Sequence, residues 1–278
     1  MPTIAMTREM GSLGKDVAAG VADKLGLRVI YHEVVDTLAN ELHVDRSAVT
    51  RLLDGSATVS DRWKVDTSEM ALFTAEQIFD IALAGNAVIR GWGATSLLRP
   101  VPHIPCIRVS APLPVRMRHL MARLHTDDQD RAMREIQRSD AAHAATVRRL
   151  FGDNYEDPWL YDVTLNTERD SVDFCIEEIV TMVRHANFSE TPESRRLLQN
   201  MAMTARVRAI LRRTSSTAKV NITVNVSDDR LTLEGIVDTK RQRDEVEAVA
   251  SGVAGVARVE NHLKQMTSTR HLAAGPSC

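Results

Sequence analysis

The stretch TIAMTREMGSLGKDVA, residues 3–18, constrains this chain more than any other. An apolar run stops at a glycine-containing turn, Gly11-Ser12-Leu13-Gly14, and Lys15 follows directly. A helical pattern then continues to Leu25-Gly26. Strand, glycine turn, basic residue and helix is the order that cradles a phosphate. The glycines let backbone N–H groups approach the oxygens, and the helix N-terminus adds partial positive charge. The strict G-x-x-x-x-G-K-[ST] spacing is not met. With Gly14-Lys15 taken as its G-K, Glu9 stands at the first glycine and Asp16 at the Ser/Thr. Lys15 then meets the phosphates from a helix start, and Asp16 is the candidate ligand for Mg2+. The plainer alternatives are an ordinary exposed lysine and an acid favoured by the helix dipole in a first turn.

Apolar runs alternate with helical patterns over the first two thirds of the chain. Candidate strands are residues 3–6, 28–30, 87–90, 106–109 and 163–165. Such alternation predicts a parallel sheet covered by helices on both faces. The last helix of this part, residues 171–183, puts Val172, Cys175, Ile176, Ile179 and Val183 on one face. Residues 187–197 are polar, contain Pro192 and read as a linker or as the entry to a new helix. After a further helix, Val220, Ile222, Val224 and Val226 alternate with Asn221, Thr223 and Asn225, the signature of a half-buried strand. A turn at Asp228-Asp229, a second strand from Leu231, a helix capped by Asp238 or Thr239 and a last strand over residues 258–263 complete a small α+β module. The expected boundaries are 1–186, 198–267 and a disordered tail at 268–278.

Composition narrows the class of function. No apolar run approaches the roughly 18–20 residues of a membrane span, and the N-terminal residues lack a signal-peptide pattern, so a cytoplasmic location is expected. Cys106, Cys175 and Cys278 have no metal-ligand spacing, and an odd number argues against a disulfide framework. The net charge of −2 is uneven: residues 186–278 carry 14 Lys/Arg and 10 Asp/Glu. This mild basicity suits an anionic partner or a merely solvated surface; no nucleic-acid partner is expected.

Four blocks in order carry a family resemblance. The opening I-S-R-E-x-G-S-G-G-R-x-I-A stands here as Met6-Thr7-Arg8-Glu9-Met10-Gly11-Ser12-Leu13-Gly14-Lys15-Asp16-Val17-Ala18. V-I-V-G-R-G-A is Val88-Ile89-Arg90-Gly91-Trp92-Gly93-Ala94, and A-P-L-x-x-R is Ala111-Pro112-Leu113-Pro114-Val115-Arg116. The late block, D-x-x-R then G-x-x-W-x-D-P-x-x-Y-D-L-x-L-N-T, begins at Asp140 and His143 and continues from Gly152 to Thr167. Residues 3–184 thus resemble the cytidylate kinase-like family, a branch of P-loop nucleoside monophosphate kinases. Residues 198–266 resemble a BON domain on Leu231-Thr232-Leu233-Glu234-Gly235 and Gly255-Val256 through Val259, Asn261 and Leu263. The resemblance implies an α/β, P-loop kinase-like parallel sheet followed by a small α+β BON-like domain.

The resemblance also implies ATP and Mg2+ as cofactors and a nucleoside monophosphate, CMP-type by default, as phosphate acceptor. It places Arg8, Gly11, Ser12, Leu13, Gly14, Lys15 and Asp16 at the nucleotide, Lys15, Arg116 and Arg90 in catalysis, and Glu33, Trp92, Asp140 and His143 near the acceptor. For the BON-like part it implies a partner protein or an anionic membrane surface. Three departures cut against full activity: Trp92 replaces the family's arginine after Gly91, His143 replaces the Arg of D-x-x-R, and Tyr31 stands where relatives carry Asp. Arg90, two residues before Trp92 and on the same side of a strand, is placed to compensate. Imidazole cannot reproduce a bidentate guanidinium. The chain is therefore read as an active kinase, with a weakened nucleotide-binding regulator as the alternative and a non-binding scaffold last.

Overall fold

The computed structural model describes residues 2–54, 65–91, 93–227 and 230–266. Trp92, the Asp228-Asp229 turn and the tail at 268–278 therefore lie outside the described residues. Contacts divide the chain into Met1–Ala205 and Arg206–Cys278.

The larger unit is built on five strands: β1 (Thr3–Arg8), β2 (Arg28–Ile30), β3 (Ala87–Arg90), β4 (Cys106–Ser110) and β5 (Val163–Asn166). Their order is β2-β3-β1-β4-β5, and every pairing is parallel. Helices α1 (Gly14–Leu25), α2 (His32–Glu41), α3 (Arg46–Asp54) and α4 (Thr67–Ala84) alternate with the first strands. Then come α5 (Ala94–Leu98), α6 (Leu113–Leu124), α7 (Gln129–Phe151) and α8 (Val172–Arg184). The alternating sheet predicted from periodicity is the one found, with β1 two residues longer at its carboxyl end and β4 and β5 each one.

β1 is central and buried on both faces, which explains its lack of polar alternation. Ile4 and Met6 join Val88, Ile107 and Val109 in one core beneath Val17, Val21, Ile176 and Ile179 of α1 and α8. Thr3 points to the other face, where its hydroxyl donates to the Ala82 carbonyl of α4. Ile4, Met6 and Ile107 are fully buried, and each contributes roughly 1.5–3 kcal/mol by leaving water. The strands β1 and β3 run to Arg8 and Arg90, so both arginines sit at one carboxyl edge of the sheet. In open α/β sheets ligands bind at that edge, where strand order reverses.

Residues 187–197, expected as a linker or the entry to a new helix, hold the end of a short 3-10 turn, Ala186–Phe188, and the first turns of α9 (Pro192–Arg213). Reciprocal hydrogen bonds between Thr191 and Ser194 start that helix, with Pro192 in its first turn. The smaller unit contains β6 (Ile222–Ser227), β7 (Arg230–Val237), α10 (Lys240–Ser251) and β8 (Arg258–Gln265). β7 pairs antiparallel with β6 and parallel with β8. Val224, Leu231, Leu233, Val246, Ala250 and Leu263 are buried. Of the two candidate caps, Thr239 is the one used: its hydroxyl accepts from the Gln242 N–H. No helix among the described residues is long and apolar enough to cross a membrane.

Close packing of α1 on α8 gives a direct test. A Cβ on Gly20 would lie 2.2 Å from Ile176 Cδ1. Helix propensity favours Ala over Gly by about 1 kcal/mol, but overpacking reverses the sign. Gly20→Ala is expected to destabilise the unit by about 1–3 kcal/mol in urea unfolding. In an Ile176→Val background, which lacks Cδ1, most of that loss disappears; equal losses in both backgrounds would refute the packing account.

Candidate phosphate-binding site

The glycine turn after β1 is held by its own backbone before any ligand is considered. Gly11 has φ +83° and Leu13 adopts a left-handed conformation at the N-cap of α1. A Cβ on Gly11 would meet the Arg116 carbonyl oxygen at 2.4 Å, and one on Gly14 would meet Arg8 Cβ at 2.7 Å. Both glycines are thus required by packing, and Gly11 by conformation as well. Ser12 is fully buried and its hydroxyl donates to the carbonyls of Glu9 and Val109. The Ser12 carbonyl in turn accepts from Thr167 at 2.8 Å, which ties the turn to the end of β5.

Leu13 accepts from the N–H groups of Asp16 and Val17, closing the first helical turn. No described group accepts from the N–H of Leu13, Gly14 or Lys15. These three donors sit at the positive end of the α1 dipole. Lys15 and Asp16 are exposed, and Lys15 has no ion pair among the described residues. This donor set fits a phosphate. Mg2+ is commonly held by one carboxylate, waters and phosphate oxygens, and Asp16 is the carboxylate present. No cluster of three His, Cys, Asp or Glu residues forms a separate metal centre among the described residues.

Glu9 ties the turn to the rest of the sheet. Its carboxylate accepts from Arg108 Nη2 at 2.7 Å and from the Ala111 N–H at 3.4 Å, and lies 3.5 Å from Arg116 Nε. Arg116 is buried, and its Nη1 donates to Asp140 Oδ2 at 2.7 Å and to the Met10 carbonyl at 3.4 Å. His119, one turn along α6, has Nδ1 2.9 Å from the Gly11 carbonyl, which makes that nitrogen the donor. Arg116 and Asp140, expected at the transferred phosphoryl group and the acceptor, are brought together here as an ion pair joining α6 to α7.

A second cluster lies beside it. Arg90 rests on the Tyr31 ring, its guanidinium carbon 4.4 Å from the centroid. Burial holds Arg90 below its ordinary pKa, and the charge of Arg8 adds to this. Arg8 is lowered as well, by burial first. His143 has Nε2 3.2 Å from the Thr7 hydroxyl and its ring edge-on to Tyr155 at 4.5 Å. Burial, then the charges of Arg8 and Arg108, push its pKa down to about 4. Arg108 stacks on Tyr155 at 4.7 Å, and burial raises that phenol to about 12. Arg8, Arg90, Asp140 and His143 line one cavity with Thr7, Tyr31 and Tyr155. Glu33 does not line it: its carboxylate accepts from the Tyr31 N–H at the start of α2. Trp92 lies outside the described residues.

Sequence reasoning missed the hub role of Glu9 and the stacking of Arg90 on Tyr31. The first had a signal: Arg8-Glu9 opens a family block, and an acid directly after a buried strand needs a partner. Tyr31 had only the signal of a departure.

A parallel sheet with a glycine turn opening a helix at its carboxyl edge defines a kinase-like α/β protein. The chain belongs to the cytidylate kinase-like family, whose model matches residues 3–169. A BON domain occupies residues 202–266. An uncharacterised protein from Eubacterium ventriosum ATCC 27560 shares the fold at a TM-score of 0.51 and 18% identity, covering 66% of this chain and 98% of that one. A sugar kinase from Janibacter sp. HTCC2649, in an unliganded structure, reaches a TM-score of 0.41 at 18% identity, covering 67% of this chain and 96% of that one, too loose a likeness to bear on function. No curated protein matches the chain.

Two expectations follow. Gly11→Ala should destabilise the protein by several kcal/mol, because strain at positive φ adds to collision with the Arg116 backbone. Gly26→Ala, at φ +65° with open space around it, should cost only about 1–2 kcal/mol. Thermal unfolding of the two variants compares them. For His143, the folded pKa lies below the unfolded value near 6.5, so the unfolded chain binds the extra proton between them. Its contribution is therefore present above about pH 6.5 and lost as pH falls towards 4. Stability profiles of wild type and His143→Gln over that window should diverge, with the variant the flatter.

Proposed function

We propose that this protein binds ATP at residues 11–15 and transfers its γ-phosphoryl group to a nucleoside monophosphate, of CMP type by resemblance. The observation that carries the reading is the set of unmatched N–H groups at Leu13, Gly14 and Lys15 beside an unpaired Lys15, inside a family-matched segment. In the reaction the bond from the γ-phosphorus to the bridging oxygen of ADP breaks. A bond from that phosphorus to an acceptor phosphate oxygen forms, and ADP leaves with the bridging oxygen. An ionised acceptor oxygen needs no general base, so catalysis is mainly positioning and charge neutralisation. Lys15 and the turn N–H groups hold the β- and γ-phosphates. Mg2+ on Asp16 and the phosphates would supply further neutralisation.

Arg116 serves this reading through its grip on Met10, Glu9 and Asp140, which fixes the turn against α6 and α7. The state of Arg116 and the neutral His143 favour one alternative: a catalytically weakened, nucleotide-binding regulator, with the BON domain as output on a partner protein or anionic surface. Such a regulator requires ATP to bind its two states with different affinity. A cytoplasmic location accords with the buried free thiols of Cys106 and Cys175.

The test is ADP release from Mg-ATP by the purified full chain, with CMP, dCMP, UMP, AMP and GMP supplied singly. Release that depends on one monophosphate is expected, and Lys15→Ala should weaken ATP binding roughly tenfold or more. ATP-induced thermal stabilisation without release would select the regulator. Unchanged ATP affinity in Lys15→Ala would remove the cradle assignment.

A further inference from the structure

The unmatched donors of the glycine turn have natural acceptors that the fold withholds from them. In an α-helix each N–H bonds the carbonyl four residues earlier. For Leu13, Gly14 and Lys15 those carbonyls belong to Glu9, Met10 and Gly11. Each is engaged elsewhere. The Glu9 carbonyl accepts from the Ser12 hydroxyl at 2.8 Å and the Ser12 N–H at 3.2 Å. The Met10 carbonyl accepts from Arg116 Nη1 at 3.4 Å, and the Gly11 carbonyl from His119 Nδ1 at 2.9 Å. Arg116 and His119 lie one turn apart on α6 and share a face of it.

These locks differ in strength. Ser12 and Arg116 are buried, and Arg116 also pairs with Glu9 and Asp140. His119 is half-buried, and no other described group donates to the Gly11 carbonyl. Gly11 is also the residue at which the backbone turns most easily. With no Cβ and φ +83° it can move to a helical conformation that other residues would reach less freely from there. A Gly11 carbonyl released from His119 can then take the Lys15 N–H, which adds a bond to the start of α1. That carbonyl and a phosphate compete for the same donor.

We propose that His119 is a positioning residue of the phosphate cradle: by holding the Gly11 carbonyl against α6 it stops α1 from capping itself and keeps the Lys15 N–H for an anion. The bond needs a proton on Nδ1, which one neutral tautomer and the imidazolium both carry. The proposal rests on the cradle reading above and names the side chain that keeps the cradle open in the free protein. Donors set in place beforehand need no rearrangement when the ligand arrives. Where only a fraction of the molecules is open, apparent affinity falls by that fraction.

Two measurements on the full chain test it: calorimetric titration with Mg-ATP, and hydrogen exchange of the Lys15 amide by NMR without ligand. His119→Leu should weaken Mg-ATP about tenfold. Its Lys15 amide should exchange about tenfold more slowly than in wild type, because both readouts follow the open fraction. His119→Asn, whose amide nitrogen can stand near the place of Nδ1, should keep both close to wild type. A merely structural role gives the opposite sign: a loosened turn would exchange faster at Lys15. Should His119→Leu fail to fold by circular dichroism, His119→Gln, whose amide lies one carbon further from the backbone, replaces it with the same expectation. Unchanged Mg-ATP affinity in the folded variant, unchanged or faster exchange at Lys15, or equal losses in His119→Leu and His119→Asn overturns the proposal. A wild-type chain that binds no Mg-ATP overturns the cradle reading instead, and the exchange rates, taken without ligand, then still judge the lock on Gly11.

Discussion

The Glu9 carboxylate is the interaction on which the larger unit's site depends. It sits where β1 gives way to the glycine turn and meets Arg108 of β4 and Arg116 of α6 at once. Both arginine side chains are largely buried, at 14% and 10% exposure. Removing one partner of such a pair leaves an uncompensated buried charge and costs about 3–5 kcal/mol. The turn's shape follows from this anchor: Gly11 is pressed against the Arg116 backbone, and Ser12 is buried between β1 and β4. A phosphate cradle must be rigid before its ligand arrives, because N–H groups that reorganise on binding lose much of their electrostatic worth. Here the rigidity comes from the ion pairs that hold the turn.

The same economy of charge explains the two faces of the site. Behind the turn, each arginine has a carboxylate: Arg108 has Glu9, and Arg116 has Glu9 and Asp140. In the cavity, Arg90 has a ring and Arg8 has a single backbone carbonyl. Paired guanidinia tie elements together, while the two in the cavity are held by a ring, a backbone carbonyl and the charge of Asp16. The neutral His143 lies between these zones, hydrogen-bonded to Thr7 and edge-on to Tyr155. Its low pKa arises from burial beside two arginines, and it marks the place where a relative would carry a third cation.

Much of the fold was legible in residue order. The five strand segments of the larger unit show as apolar runs of the right length, and α1 and α8 show as stripes at helical spacing. The smaller unit shows in the strict alternation around Val224 and Val226. The candidate site was legible only as a segment: Gly11 to Lys15 suggests a cradle because strand, turn and helix lie next to one another in sequence. Arg116 was legible as a motif residue but not as a structural clamp, since Asp140 lies 24 residues away on α7 and Glu9 lies just past β1. Glu33 was expected at the acceptor; its carboxylate accepts from the Tyr31 N–H at the start of α2, a local contact that hydrophobic periodicity does not reveal.

The sequence by itself determined the class of sheet, the position of the glycine turn and the presence of a second, small module, because those are set by hydrophobic periodicity and local backbone chemistry. Only the tertiary structure decided which charges are spent on one another. Arg8, Arg90, Arg108 and Arg116 are chemically alike in the sequence. They differ because long-range packing puts Glu9 and Asp140 beside two of them and the Tyr31 ring beside a third. Charge pairing is a property of distance through space, and periodicity along the chain carries no record of it.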